Sequence, residues 1–136
     1  MKKREKEYSL IIILLFFYFI AAGCNKDKES FQQVSGSLRM NVYAKHHSWG
    51  VEGLSVYLED NALQFPGYDT TAYTWKEKTD SLGFTSFNEL FPGDYYLYAT
   101  GYDSIWGDNV IGYMPVSISN QNIINSTLNI ELYVSE

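Results

Sequence analysis

Apolar and polar residues alternate along most of this chain. In "SLRMNVYA", Leu38, Met40, Val42 and Ala44 fall on one side and Arg39, Asn41 and Tyr43 on the other. "LSVYLED" repeats the pattern with Leu54, Val56 and Leu58. "DYYLYAT" groups Tyr95, Leu97 and Ala99 against Tyr96, Tyr98 and Thr100. "STLNIELYV" sets Leu128, Ile130, Leu132 and Val134 against Asn129, Glu131 and Tyr133. A period of two predicts strands with one face on a core and one in water. No convincing helical period follows residue 33.

Turn formers separate these runs: Trp49-Gly50 with Gly53, Pro66-Gly67, Asp80 through Gly83, Pro92-Gly93, and Gly107-Asp108-Asn109. About seven short strands at this spacing predict an all-β antiparallel sandwich or barrel. With one cysteine in the chain no internal disulfide can form, so apolar burial must hold the domain. Aromatic residues, 17% of the chain, supply large side chains for it.

The first 33 residues are different. A basic start, Lys2-Lys3-Arg4-Glu5-Lys6, precedes the uncharged apolar run "YSLIIILLFFYFIAAG". That layout suits a secretory signal. The alternative is a single-pass anchor, for which the run is slightly short of the ~20 residues that span a bilayer. A polar stretch, "NKDKESFQQ", then reads as a flexible tether. The expected organisation is signal over 1–23, tether over 24–33 and sandwich over 34–136. Removing the signal leaves 6 basic and 14 acidic residues, a net charge of −8. So acidic a domain is a poor partner for nucleic acid.

"IAAGC", ending in Cys24, resembles the lipobox of bacterial lipoproteins, with Ala21 in place of the more usual residue. The resemblance implies cleavage before Cys24 and fatty acylation of that cysteine. Each buried acyl CH₂ contributes about 0.8 kcal/mol, and stable anchoring takes more than one chain. The expected location is the outer membrane, facing either the surface or the periplasm, with the membrane as a partner through the lipid. The mixed charges of "NKDKES" are similar to surface-export stretches of some Gram-negative lipoproteins, and equally to an ordinary solvated linker.

A second resemblance lies in Thr79, Asp80, Gly83, Phe87, Leu90, Pro92, Gly93, Tyr95 and Leu97. This spacing resembles the carboxypeptidase regulatory-like domains and the related Cna protein B-type repeats, with the loop over 61–72 longer than usual. The resemblance implies an immunoglobulin-like or transthyretin-like sandwich over roughly 36–133, and no enzymatic role. Some Cna-type repeats form a Lys–Asn isopeptide bond assisted by a Glu. Here Lys45 would be the donor and Asn125 or Asn129 the acceptor, but Ala99 stands at the Glu position, leaving no carboxyl to move protons.

Other candidate chemistry is thin, and no cofactor is expected. His46 and His47 are strand neighbours that should point apart, a poor joint metal site, expected in solvent. Asp103, Asp108 and Asn109 share one predicted loop and could offer oxygens to calcium, though at no EF-hand spacing. No Gly-x-Ser-x-Gly elbow occurs. An outward set of Tyr43, Tyr57, Tyr96, Tyr98 and Tyr133, with Trp49, Trp75 and Trp106 near loops, could stack on a glycan or anchor an envelope protein. Strand propensity alone also explains tyrosines there. Tyr96, Tyr98 and Trp106 are the candidate ligand contacts. Three Asp-Ser/Thr-x stretches resemble a bacterial O-glycosylation acceptor, which makes Thr70, Ser81 and Ser104 candidate modification sites.

Overall fold

The computed structural model describes residues 36–136. The signal, the tether and Cys24 lie outside them. Among the described residues no helix is long and apolar enough to cross a membrane.

Eight strands run in the order β1 (Leu38–His46), β2 (Trp49–Gly50), β3 (Ser55–Asp60), β4 (Trp75–Lys78), β5 (Phe84–Leu90), β6 (Gly93–Asp103), β7 (Asp108–Ile118) and β8 (Thr127–Val134). A single 3₁₀ turn, Thr70–Ala72, precedes β4, and a short helix α1, Asn120–Ile124, precedes β8. The strands form two four-stranded sheets. In one, β1 pairs with β2, β5 and β8; in the other the order is β4-β3-β6-β7. The all-β sandwich expected from the alternation is what forms.

The inward residues of both sheets meet in one core. Met40, Val42, Ala44, Phe87, Leu132 and Val134 face Val56, Leu58, Leu97, Ala99, Val110 and Val116. These are the apolar positions of the period-two runs, which bury because water-exposed apolar area is costly.

Two features depart from expectation. The pairing is not wholly antiparallel: β8 lies parallel to β1, with Asn41 opposite Asn129 and Ala44 opposite Leu132. After β7 the chain crosses to the other sheet through α1, so β8 runs in the direction of β1. Helix α1 was not legible because it is a single turn. Asn122 Oδ1 accepts from the Ser119 amide and hydroxyl, each at 2.8 Å, and only Ile123 is buried.

One side of the sandwich is drawn together where β8 meets β7. Ile111 and Ser135 exchange backbone hydrogen bonds of 2.8 Å. Gly112 allows this approach, since a Cβ there would stand 2.4 Å from the Tyr133 carbonyl oxygen. On the opposite side β4 and β5 are the facing edges of the two sheets.

Candidate functional site

The T-D-x-x-G stretch is a structural device. Thr79 Oγ1 donates to the Val51 carbonyl at 2.6 Å and accepts from the Leu54 amide at 2.9 Å, both buried. Asp80 Oδ1 accepts from the amides of Leu82 and Phe84. Gly83 has φ +75°, and a Cβ there would meet the Ala44 carbonyl oxygen at 2.6 Å. Each motif residue is consumed in fixing the turn that leads into β5.

The three Asp-Ser/Thr-x stretches share one local geometry. In each, the Asp Oδ1 accepts from the amide two residues on: Asp69 from Thr71 at 3.0 Å, Asp80 from Leu82 at 2.8 Å, Asp103 from Ile105 at 2.9 Å. Such Asx turns explain why Asp recurs there. Ser81 and Ser104 project into solvent from their turns, and Thr70 is half-buried in the 3₁₀ turn.

The outward tyrosines do not form one surface. Tyr43 and Tyr133 belong to the sheet of β1, whereas Tyr57, Tyr96 and Tyr98 belong to the sheet of β6. Nor do the last three stand in water: Tyr96 is 8% exposed and Tyr98 4%. The long loop between β3 and β4 covers them. Phe65 packs 5.8 Å from Tyr96, 5.6 Å from Tyr98 and 4.6 Å from Tyr113, and Tyr73 lies 5.7 Å from Tyr98. The loop is held by the Tyr73 hydroxyl donating to the Gly67 carbonyl at 2.9 Å. At its end, the Thr74 amide and hydroxyl donate to Glu59 at 2.6 and 2.9 Å. Burial, then the neighbouring Tyr98, Tyr96 and Glu59, pushes the Tyr73 phenol up to about 12. The expectation that Tyr96 and Tyr98 offer open rings is therefore corrected: alternation placed them on the outer face, and the loop made that face a second small core. Trp106, 51% exposed, remains open at a hairpin tip.

His46 is also corrected. It is 2% exposed, with Nδ1 2.9 Å from Asp103 Oδ2 and Nε2 3.0 Å from Glu136 Oε2. His47, left-handed at φ +54°, turns back to stack on it at 4.4 Å, and Trp106 lies 4.8 Å from His47. The hydrogen bond that His46 donates to Asp103 dominates and, against burial, raises the His46 pKa. Burial pushes the Asp103 carboxyl up, but His46 and the amides of Ile105 and Trp106 together hold it below the ordinary range. Both Asp103 oxygens are thus engaged within the fold, so Asp103 is no open calcium ligand. Among the described residues no three His, Cys, Asp or Glu side chains converge to hold a metal ion. Lys45 points away from the core and pairs with Glu131, while Asn129 Oδ1 accepts from the Asn41 amide at 2.9 Å.

The candidate binding site is a cleft that sequence reading did not find. It has a volume of about 290 Å³ and lies at the end of the sandwich where β3 and β5 finish and β6 begins. Trp75, Phe91 and Tyr95 give it aromatic walls, and Asp60, Glu89 and Asp94 give it carboxylates. Tyr95 is buried and Trp75 partly so, their ring centres 6.2 Å apart. The Tyr95 hydroxyl donates to the Phe91 carbonyl at 2.9 Å, which braces the loop between β5 and β6. A β-bulge aims Glu89. Leu38 pairs with Leu90 but Met40 with Phe87, so β5 carries an extra residue opposite Arg39. Glu89 sits there at φ +58°, in a region a side chain rarely adopts. Of this site, the sequence singles out the Pro92-Gly93 turn and Tyr95 as fold signals and Trp75 as an aromatic near a loop, but nothing in it brings them together with Asp60, Glu89 and Asp94. The bulge leaves no mark in the alternation.

No family model matches the chain, and no curated protein sequence matches it. Among solved structures it is similar to BcpA, the major pilin subunit of Bacillus cereus. The identity is 14%, over 73% of this chain and 30% of the pilin, with a TM-score of 0.50. The chain thus spans less than a third of that subunit. A second similar structure comes from Pseudomonas aeruginosa and is provisionally described as a carbohydrate binding protein. It is 16% identical over 72% of this chain and 88% of that one, with a TM-score of 0.44. At such identities the pilin likeness is one of fold: an all-β sandwich.

Proposed function

We propose that this chain is a non-catalytic recognition or spacer module of the cell envelope, exported by residues 1–23 and held to the outer membrane through lipid on Cys24. The observation that carries the recognition role is the cleft of Trp75, Phe91 and Tyr95 ringed by Asp60, Glu89 and Asp94. A few aromatic walls with placed polar groups on a rigid frame is how ligand sites are commonly built. Aromatic rings give contact area at small entropic cost, and the sandwich holds them in place. The lipid reading rests on the placement of Cys24 and on the absence of any other cysteine.

Protease treatment of intact cells tests the placement. Digestion of the domain expresses surface exposure; release only on lysis expresses a periplasmic face. Cys24→Ser must move the protein out of the membrane fraction. If it stays, the apolar run is an anchor and the lipid reading falls.

A second reading, glycan recognition, is favoured by open rings elsewhere. Tyr113 is 49% and Tyr68 63% exposed beside the Phe65 stack, and Trp106 is open at the other end. Glycan binding lost in Tyr113→Ala or Trp106→Ala and kept in cleft variants would establish it in place of the cleft.

A further inference from the structure

We infer that the cleft receives a cationic side chain of a protein partner, and that an arginine guanidinium is the group it fits; this rests on reading the cleft as the recognition site. Its volume of about 290 Å³ lies at the bottom of the range for ligand pockets, which suits one side chain better than an extended ligand. Three carboxylates, Asp60, Glu89 and Asp94, line it, and no lysine or arginine does.

Their chemistry is directional. Asp94 accepts from the Ser117 hydroxyl. Asp60 and Glu89 carry no hydrogen bond or ion pair from any described side chain. The strand bulge holds Glu89 at the rim against its backbone preference. Strain of that kind persists where the surrounding fold enforces it and clusters at ligand sites.

The carboxylates do not converge on one point, since no three acidic or histidine side chains among the described residues could share a metal ion. A bare cation is therefore a poor match. A guanidinium is planar, spreads its charge over five donors and stacks on aromatic faces, so it can meet separated carboxylates while lying on a ring. Trp75 is the ring type that attracts cations best, and it stands at the cleft wall beside Tyr95.

The test titrates the full chain, in detergent micelles, with a short peptide bearing one central arginine. The same peptide with citrulline, the neutral isostere, is the control. Trp75 indole resonances and fluorescence report occupancy of the cleft. The expected result is saturable binding of the arginine peptide that weakens with added salt, with little binding of the citrulline peptide. Asp60→Asn combined with Glu89→Gln should weaken it at least about tenfold. Thermal melting should show the double variant folded, since neither side chain holds the fold together.

Equal binding of the two peptides, or no binding of the arginine peptide, overturns the inference. A panel of neutral oligosaccharides separates the two levels. Sugars that shift Trp75 where arginine does not would sink the cationic assignment and leave recognition standing. If nothing shifts Trp75, both fail.

Discussion

His46 Nδ1 lies 2.9 Å from Asp103 Oδ2 while Nε2 of the same ring lies 3.0 Å from Glu136, so both ring nitrogens of a buried histidine face carboxylates. Protonated His46 donates to both. Its folded pKa is raised, so its stabilisation is fully present below the ordinary histidine value near 6.5 and is lost as pH rises through the raised value. Asp103 and Glu136 have lowered pKa values, so their contribution holds above the ordinary carboxylate range and is lost as pH falls through the lowered values. The domain should be most stable between these limits, in mildly acidic solution. Urea denaturation across pH measures this, and in His46→Gln the fall on the alkaline side should flatten. An unchanged profile would remove the ion network from any role in stability.

Thr79 tests the turn motif. In Thr79→Val the buried Val51 carbonyl and Leu54 amide lose their partner. The expected cost is about 1–3 kcal/mol, with Thr79→Ser recovering most of it. Denaturant midpoints at constant m-value would show it. If valine costs nothing while serine is destabilised, packing of the methyl group and not the hydroxyl holds the turn.

Gly83 carries a separate constraint. Gly83→Ala forces a side chain into left-handed backbone and against the Ala44 carbonyl. A loss of at least roughly 1–3 kcal/mol follows. A melting temperature equal to wild type would mean that the turn can relax.

Tyr98 is the centre of the covered face, touching Tyr57, Phe65, Tyr68 and Tyr73. Tyr98→Ala should cost about 3–5 kcal/mol and release the loop between β3 and β4. Limited proteolysis would then cut within residues 61–74, which stay resistant in wild type and in Tyr98→Phe. Cleavage at the same rate in all three would mean that the loop does not depend on Tyr98.

Glu89 separates stability from binding. Glycine in a strand ordinarily costs roughly 0.5–1 kcal/mol, but at φ +58° it relieves strain of similar size. Glu89→Gly should therefore melt close to wild type while binding of the arginine peptide falls. A clear loss of stability would show that the glutamate side chain packs the bulge.

Alternation alone placed Met40, Val42, Leu58, Leu97 and Leu132 on inward faces and found the strands that carry them. The Asp80–Gly83 turn was equally plain, because its hydrogen bonds close within four residues. These are local properties: a period fixes the face, and a turn fixes itself. What lies on a face is not local. Tyr96 and Tyr98 read as solvent-facing until a loop some 30 positions earlier packed over them, and His46 read as exposed because Asp103 and Glu136 stand 57 and 90 positions away. The cleft is of the same kind, assembled from the ends of β3 and β5, the starts of β4 and β6, and a bulge the pattern does not betray. Sequence by itself determined that the alternating runs of β1, β3, β6 and β8 form strands and which of their apolar residues face inward. Only the tertiary structure decided what covers each face, because burial depends on segments brought together across the chain.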